Sequence, residues 1–375
     1  LQKIIIHNQR QSVVIMRIAI LTSRFPKTDK FAGGAEISAF NVANIMAKRG
    51  HDVYVITRKD ENLARGGFKL GEVRFIGRPS HLRYLSTAFH MVRALLRVRP
   101  DVIYCQTLLS ESFAGIVAGR LLRVPVAVRA VGEIYVRTGL LERLILKFIM
   151  RSATIILPLT EHMRREVLKF NRDAKVAVVP EGADYDFFRN YPGKARNPHS
   201  VLFVGRLTAL KSVDTLLRAF MIAEKKMPGA TLTLIGDGEQ GDSLRKLSKG
   251  LGLKGARFLG SRKREEVAAY MKSSGMLVLP SVSEGFPLVI PEAMASGLPI
   301  VATRIRGMSE IVEEGANGYL VEPRNPEKLA ERMILLMKSD EIRNRIGKNN
   351  IKKAEQFNWG AITDKLLQAL ESLKK

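Results

Sequence analysis

The chain has 375 residues, 46% of them apolar, with one cysteine and a formal charge of +25 at pH 7. That length suits two ordinary domains of roughly 100–200 residues each, and a lone Cys105 excludes an intrachain disulfide framework or a thiolate metal cluster and fits a reducing cytoplasm. No apolar run reaches the ~20 residues of a membrane-spanning helix, while the cationic excess favours polyanions: nucleic acid, anionic lipid headgroups or diphosphates.

Residues 1–15 precede MRIAILTSRFP, which reads as an ordinary enzyme start at Met16, and they lack a small-residue cleavage site; they are read as an N-terminal extension without assigned function. Short apolar runs then alternate with helical patterns. Strands are predicted at Arg17–Leu21, Val53–Ile56, Val73–Ile76, Val102–Tyr104, Val126–Arg129 and Thr154–Leu157. Strands separated by helix-length segments imply right-handed βαβ units and a doubly wound sheet. Lys and Arg exceed Asp and Glu by about two to one through Arg189, so this half carries most of the cationic excess. The segment Arg137–Arg151 is amphipathic, with Arg143, Lys147 and Arg151 four residues apart. It reads first as a domain helix with its leucines toward the core, and second as a contact with an anionic membrane.

Between Asp186 and His199 the periodicity lapses and Pro, Gly and basic residues gather, as in an interdomain linker. The second half repeats the design, with strands predicted at Ser200–Val204, Thr231–Ile235, Ala256–Phe258, Met276–Leu279, Ile300–Ala302 and Gly318–Val321. The chain therefore divides into residues 16–190 and 191–357, each Rossmann-like. The tail, 358–375, begins near Trp359, which reads as a packing residue.

The chemistry is expected at strand ends, where open α/β sheets collect ligands. Gly205 closes one strand, with Arg206 and Lys211 in the loop that follows, both able to reach a diphosphate. As plain surface charges they would contribute ~0–1 kcal/mol; as stabilisers of a departing diphosphate in a dry site, losing one would cost roughly a hundred- to thousandfold in turnover. Glu284 and Gly285 follow the strand Met276–Leu279, and Pro287 and Pro291 stiffen the turn into a helix that contains Glu292 and ends at Gly297. The amides of Phe286, Leu288 and Val289 are left to meet an anion, and the two glutamates to accept bonds from hydroxyls. Gly33, Gly34 and Glu36 open a helix after the first strand, where amides again suit a phosphate or sugar. Gly236 and Gly238 of IGDGE fit either a ligand loop or a plain turn. No histidine pair has metal-ligand spacing.

The segment Ser281–Thr303 (SVSEGFPLVIPEAMASGLPIVAT) resembles the paired-glutamate signature of the retaining glycosyltransferases of family 4, and Gly205, Arg206 and Lys211 resemble that family's diphosphate-binding pair. The resemblance covers essentially Met16 to the end. It implies an α/β, GT-B fold of two Rossmann-like domains facing each other across a cleft, with the last helix crossing back onto the N-terminal domain. It further implies transfer of a sugar from a nucleoside-diphosphate sugar to a hydroxyl of a glycan, lipid or small-molecule acceptor, without a prosthetic group or metal. A UDP-sugar is the first expectation and a GDP-sugar the second. In that scheme Glu284, Arg206 and Lys211 are catalytic. Gly33, Gly34, Gly205, Gly236, Gly238, Gly285, Phe286, Pro287, Leu288, Val289 and Glu292 bind the donor.

Two departures stand out. VPEGAD (179–184) has Glu181 where the family has asparagine, and RAVGEIY has Val131 where many relatives have a histidine. Valine neither hydrogen-bonds a sugar nor takes a proton. Either Arg129 or Glu133 supplies that contact on the acceptor side, with Glu36 nearby in role, or the acceptor region differs. The expected location is the cytoplasm, peripheral at the inner membrane face. Two rivals remain: a nucleotide-sugar epimerase of similar fold, which would consume donor without an acceptor, and a basic nucleic-acid-binding protein, supported by charge alone.

Overall fold

The computed structural model describes residues 15–22, 25, 34–58, 67–73, 80–108, 110–130, 140–193 and 195–373. Its first part runs β1 (Arg17–Leu21), α1 (Gly34–Lys48), β2 (Asp52–Arg58), β3 (Lys69–Val73), α2 (Ser80–Val98), β4 (Val102–Cys105), α3 (Ser110–Leu122), β5 (Val126–Ala130), α4 (Leu140–Ser152), β6 (Ile155–Pro158), α5 (Glu161–Phe170) and α6 (Tyr185–Asn190). The second runs β7 (Asn197–Val204), α7 (Val213–Lys226), β8 (Thr231–Ile235), α8 (Gly241–Gly250), β9 (Ala256–Gly260), α9 (Arg264–Ser273), β10 (Ser274–Leu279), α10 (Val289–Ala295), β11 (Ile300–Thr303), α11 (Met308–Ile311), β12 (Gly318–Val321), α12 (Pro326–Lys338), α13 (Asp340–Ala354) and α14 (Trp359–Glu371).

These strands form two six-stranded sheets, ordered β3-β2-β1-β4-β5-β6 and β12-β11-β10-β7-β8-β9, with parallel pairing between the described neighbours. Parallel strands are covered on both faces, which is why β4, β10 and β11 are mostly apolar and, like β5 with its inward Arg129, are buried along their length. The order reverses beside β1 in one sheet and beside β7 in the other, and such switch points open a crevice at the carboxyl ends of the strands. The chain divides into two compact units, Leu1–Arg129 with Glu142–Ile155 and Leu366–Lys375, and Ala130–Leu141 with Ile156–Lys365.

In the first unit, the face of the sheet carrying Ala19, Leu21, Ile103 and Val128 packs against Met91 and Leu95 of α2, Ile116 of α3 and Ile149 of α4. In the second, Val201, Phe203, Leu232, Val278 and Val301 pack with Leu216 and Phe220 of α7, Ile290 and Met294 of α10, and Met333 of α12. Trp359 is buried, and a side chain at Gly182 would collide with its ring, so the small residue and the indole interlock. This is the packing role expected of Trp359.

Two expectations are corrected. The third strand occupies Lys69–Val73 rather than starting at Val73, paired from Tyr54↔Lys69 to Arg58↔Val73; residues 74–76 lie outside the described residues. The segment read as linker from Asp186 is in part helical. Asp184 caps α6 through the Phe187 amide, Phe188 is buried, and β7 begins at Asn197 inside the same segment. The Asp184 cap and the burial of Phe188, not Pro192 and Gly193, mark the local structure.

Candidate functional site

The second unit assembles its site from the loops that leave two adjacent parallel strands, β7 and β10, whose register pairs Val201 with Met276 and Leu202 with Leu277. After β7, Gly205 passes its amide to Ile235 O at 3.0 Å, and the chain turns through Arg206 into a single tight turn, Ala209–Lys211. Ser212, at φ 46°, then opens α7. After β10, the Val282 amide donates to Leu210 O at 2.8 Å, so the two loops are joined backbone to backbone. Thr303 Oγ1 at the end of β11 donates to Ser281 O, which fixes the second loop from its other side.

That framework brings Lys211 and Glu284 together. Lys211 Nζ and Ser281 Oγ both donate to Glu284 Oε1 at 2.5 Å, and the two charged side chains are only 20% and 11% exposed. In so sheltered a position the attraction is much less screened than on the surface. Arg206, in contrast, is exposed and makes no ion pair among the described residues. The loops therefore present one cation already neutralised by a carboxylate and one unneutralised cation on the same loop, a net positive charge open to an incoming anion.

Beyond Glu284 the chain runs through Gly285 to α10. Ile290 donates to Pro287 O at 3.0 Å and Glu292 to Leu288 O at 3.2 Å, while no acceptor among the described residues meets the amides of Phe286, Leu288 or Val289. The ring of Phe286 stands edge-on to Phe357 at 5.7 Å. The far end of α10 closes as a Schellman turn, with Gly297 at φ 71°, its amide on Met294 O and the Leu298 amide on Ala293 O.

Glu292 keeps part of its residue surface open, yet burial of its carboxyl raises the pKa from 4.5 to about 7; the Arg264 charge opposes that rise and Asp184 adds to it. Arg264 is itself tied to Asp184 at 2.8 Å and stacked on the Phe187 ring at 4.2 Å. A carboxyl without a side-chain hydrogen bond among the described residues, poised between its neutral and charged forms near pH 7, can accept hydroxyl donors once ionised.

The remaining expected residues fall as follows. Gly236 (φ 132°) and Gly238 lie against the Gly205–Leu207 backbone, where an added Cβ would stand 2.0 Å from Gly205 O and 2.4 Å from Leu207 O. Their first requirement is thus close packing beneath the Arg206 loop. Gly34 and Glu36 open α1, Gly34 exposed and Glu36 partly buried. Arg129, on β5, is 1% exposed and donates to Tyr104 Oη at 2.8 Å and Ser38 Oγ at 3.4 Å inside the first unit. Gly33, Val131 and Glu133 lie outside the described residues. Among the described residues no three His, Cys, Asp or Glu side chains group as a metal site. The sequence reading missed Ser281 and Thr303, the first and last residues of the segment it singled out. The one signal it held was their hydroxyls at the ends of two neighbouring strands.

The model for "Glycosyl transferases group 1" matches residues 184–353, and that for "Glycosyltransferase Family 4" matches residues 32–187. An uncharacterized glycosyltransferase of Haemophilus influenzae is 30% identical over 83% of this chain and 88% of its own length. The D-inositol 3-phosphate glycosyltransferase of Corynebacterium urealyticum is 27% identical over 96% of each chain. Among solved structures, Anabaena HepE in complex with UDP superposes with a TM-score of 0.78 at 21% identity, covering 96% of this chain and all of that one. The chain belongs to the group 1, family 4 glycosyltransferases and has their GT-B fold.

Proposed function

We propose that this glycosyltransferase moves a sugar, with retention of its anomeric configuration, from a nucleoside-diphosphate sugar to a hydroxyl of a glycan, lipid or small-molecule acceptor. A UDP-sugar is the preferred donor and a GDP-sugar the second choice. The observation that carries the reading is the Lys211–Glu284 pair with Arg206 beside it, on loops bonded to each other at the carboxyl ends of β7 and β10. A diphosphate arriving there takes up Lys211 and Arg206 and frees Glu284 to accept hydroxyls of the transferred sugar.

As the bond from the anomeric carbon to the diphosphate oxygen breaks, its electron pair leaves with the phosphate, where Arg206, Lys211 and the amides after Gly285 stabilise the charge. The acceptor hydroxyl attacks from the face the phosphate is leaving and gives its proton to the departing phosphate oxygen, so no protein nucleophile is called for. Glu292 in its ionised form accepts the ribose hydroxyls. In this reading residues 191–357 hold the donor and residues 16–190 the acceptor, and the enzyme works in the cytoplasm, peripheral to the inner membrane face.

Isothermal titration with UDP, GDP and ADP at pH 8 tests the donor site. One nucleotide should bind wild type and bind Lys211→Met and Glu292→Gln at least about tenfold more weakly. Binding that is equal in all three proteins would remove the assignment. The epimerase rival fails if sugar is transferred to an acceptor; the nucleic-acid rival gains if RNA binding collapses with salt and ignores Glu284, and fails if RNA does not bind while nucleotide binding depends on these residues.

A further inference from the structure

Among the described residues six large apolar side chains are conspicuously exposed, and four of them, Phe89 (63%), Leu96 (41%), Leu121 (64%) and Leu144 (57%), lie on α2, α3 and α4. These three helices form one layer on one face of the first sheet. Their inner sides share a core, Phe113 of α3 meets Phe148 of α4 at 5.7 Å, and Arg120 spans the same pair of helices by donating to Ser152 Oγ at 2.8 Å. The outer sides of the layer are not covered by any described segment at these four positions.

The pattern on those outer sides is specific. On α2, Phe89, Arg93, Leu96 and Arg97 are exposed, opposite buried Ala88, Met91 and Leu95. On α4, Leu144 is exposed among Arg143, Lys147 and Arg151, opposite buried Leu146, Ile149 and Met150. None of these five cations makes an ion pair among the described residues, and α2 contains no acidic residue. A scattered exposed leucine needs no explanation, but apolar side chains interleaved with unpaired Arg and Lys on one layer match a single kind of surface. In a lipid bilayer the apolar groups enter the headgroup–acyl boundary while the long cationic side chains stay among the phosphates. A nucleic acid would use the cations and could stack on Phe89 alone, gaining nothing from the three leucines. A second copy of this face would set cation against cation.

We propose that the outer faces of α2, α3 and α4 form the docking surface for an anionic lipid bilayer. The proposal rests on the peripheral-membrane placement above and adds which surface makes the contact. The test is co-sedimentation of the full chain with vesicles of phosphatidylcholine alone or mixed with phosphatidylglycerol. Wild type should bind the mixed vesicles, bind phosphatidylcholine weakly, and release as salt rises. The double variants Phe89→Ser/Leu144→Ser and Arg143→Glu/Lys147→Glu should each weaken partition by at least about tenfold. Lys225→Glu/Lys254→Glu, which reverses two exposed cations of the second unit, should change it less than about twofold. Circular dichroism and thermal midpoints matching wild type certify that the variants are folded. If wild type binds and the first two variants bind equally well, or all three weaken alike, the surface is wrong and the placement stands. If wild type ignores anionic vesicles, the placement fails with it. A dimer that Leu144→Ser dissolves would give this face to a second copy and overturn the proposal.

Discussion

Glu292→Gln should make the protein more stable as the pH rises while weakening its hold on nucleotide. The carboxyl has a pKa of about 7 in the folded chain against an ordinary 4.5, because burial penalises its charge. The unfolded chain thus releases this proton near pH 4.5 and the folded chain holds it to about 7, so the group's contribution is intact below pH 4.5 and is lost as pH rises through 7. At about 1.4 kcal/mol per pKa unit the full loss is on the order of 3 kcal/mol, and most of it falls between pH 5 and pH 8. Glutamine has no proton to lose. Its amide brings donors whose cost if unmet is about 1–3 kcal/mol, but that cost is the same at both pH values. The stability of Glu292→Gln relative to wild type should therefore improve by about 2–3 kcal/mol from pH 5 to pH 8, whatever its sign at pH 5. Urea unfolding followed by fluorescence of Trp359, the only tryptophan and buried in the second unit, measures this directly. A difference that stays constant over that range would refute a carboxyl strained by burial.

Other expectations follow from the same geometry. Lys211→Met should lower kcat by about a hundred- to thousandfold and also destabilise the fold by about 1–3 kcal/mol, because Glu284 is left sheltered without its cation; Arg206→Ala should weaken diphosphate binding yet leave the urea midpoint within error, since that side chain is exposed and unpaired among the described residues. Thr303→Val removes the bond to Ser281 O and should cost about 1 kcal/mol in stability, with a larger fall in kcat than in KM as Glu284 loses its fixed position. Gly236→Ala, with backbone oxygen 2.0 Å from the new Cβ, should fail to fold or melt far below Gly252→Ala, where φ is 69° but nothing stands within 4 Å and the cost is about 1–2 kcal/mol. Equal melting points for those two variants would show that the Gly236 loop is not packed as described.

The strands were legible because parallel strands buried largely on both faces leave short, mainly apolar segments between helical patterns: Arg17–Leu21, Thr231–Ile235 and Gly318–Val321 fall where their sequences place them. The edge strand β3 was not, since Lys69–Val73 (KLGEV) has only two apolar side chains in five, Leu70 and Val73, and its place is set by pairing with β2. For the site, the residue types and their loops could be read, but not their partners. That Lys211 would meet Glu284, that Val282 would bond Leu210, and that Thr303 would hold Ser281 are contacts between segments far apart in the chain, and local periodicity carries no record of them. The raised pKa of Glu292 is equally invisible, because it arises from what covers the carboxyl, against the opposing charge of Arg264, and not from the PEAMA stretch itself. Arg129 shows the converse: the sequence offers an arginine at a strand end, and the structure turns it inward to Tyr104 and Ser38.

The central claim is that the Lys211–Glu284 site transfers sugar from a nucleoside diphosphate with retention. The most direct measurement is proton NMR of the product formed from a UDP- or GDP-sugar and an acceptor, run with wild type, Lys211→Met and Glu284→Gln. The account predicts a product with the donor's anomeric configuration from wild type, and rates at least about a hundredfold lower from both variants. A product of inverted configuration, or variants that transfer at the wild-type rate, would contradict it.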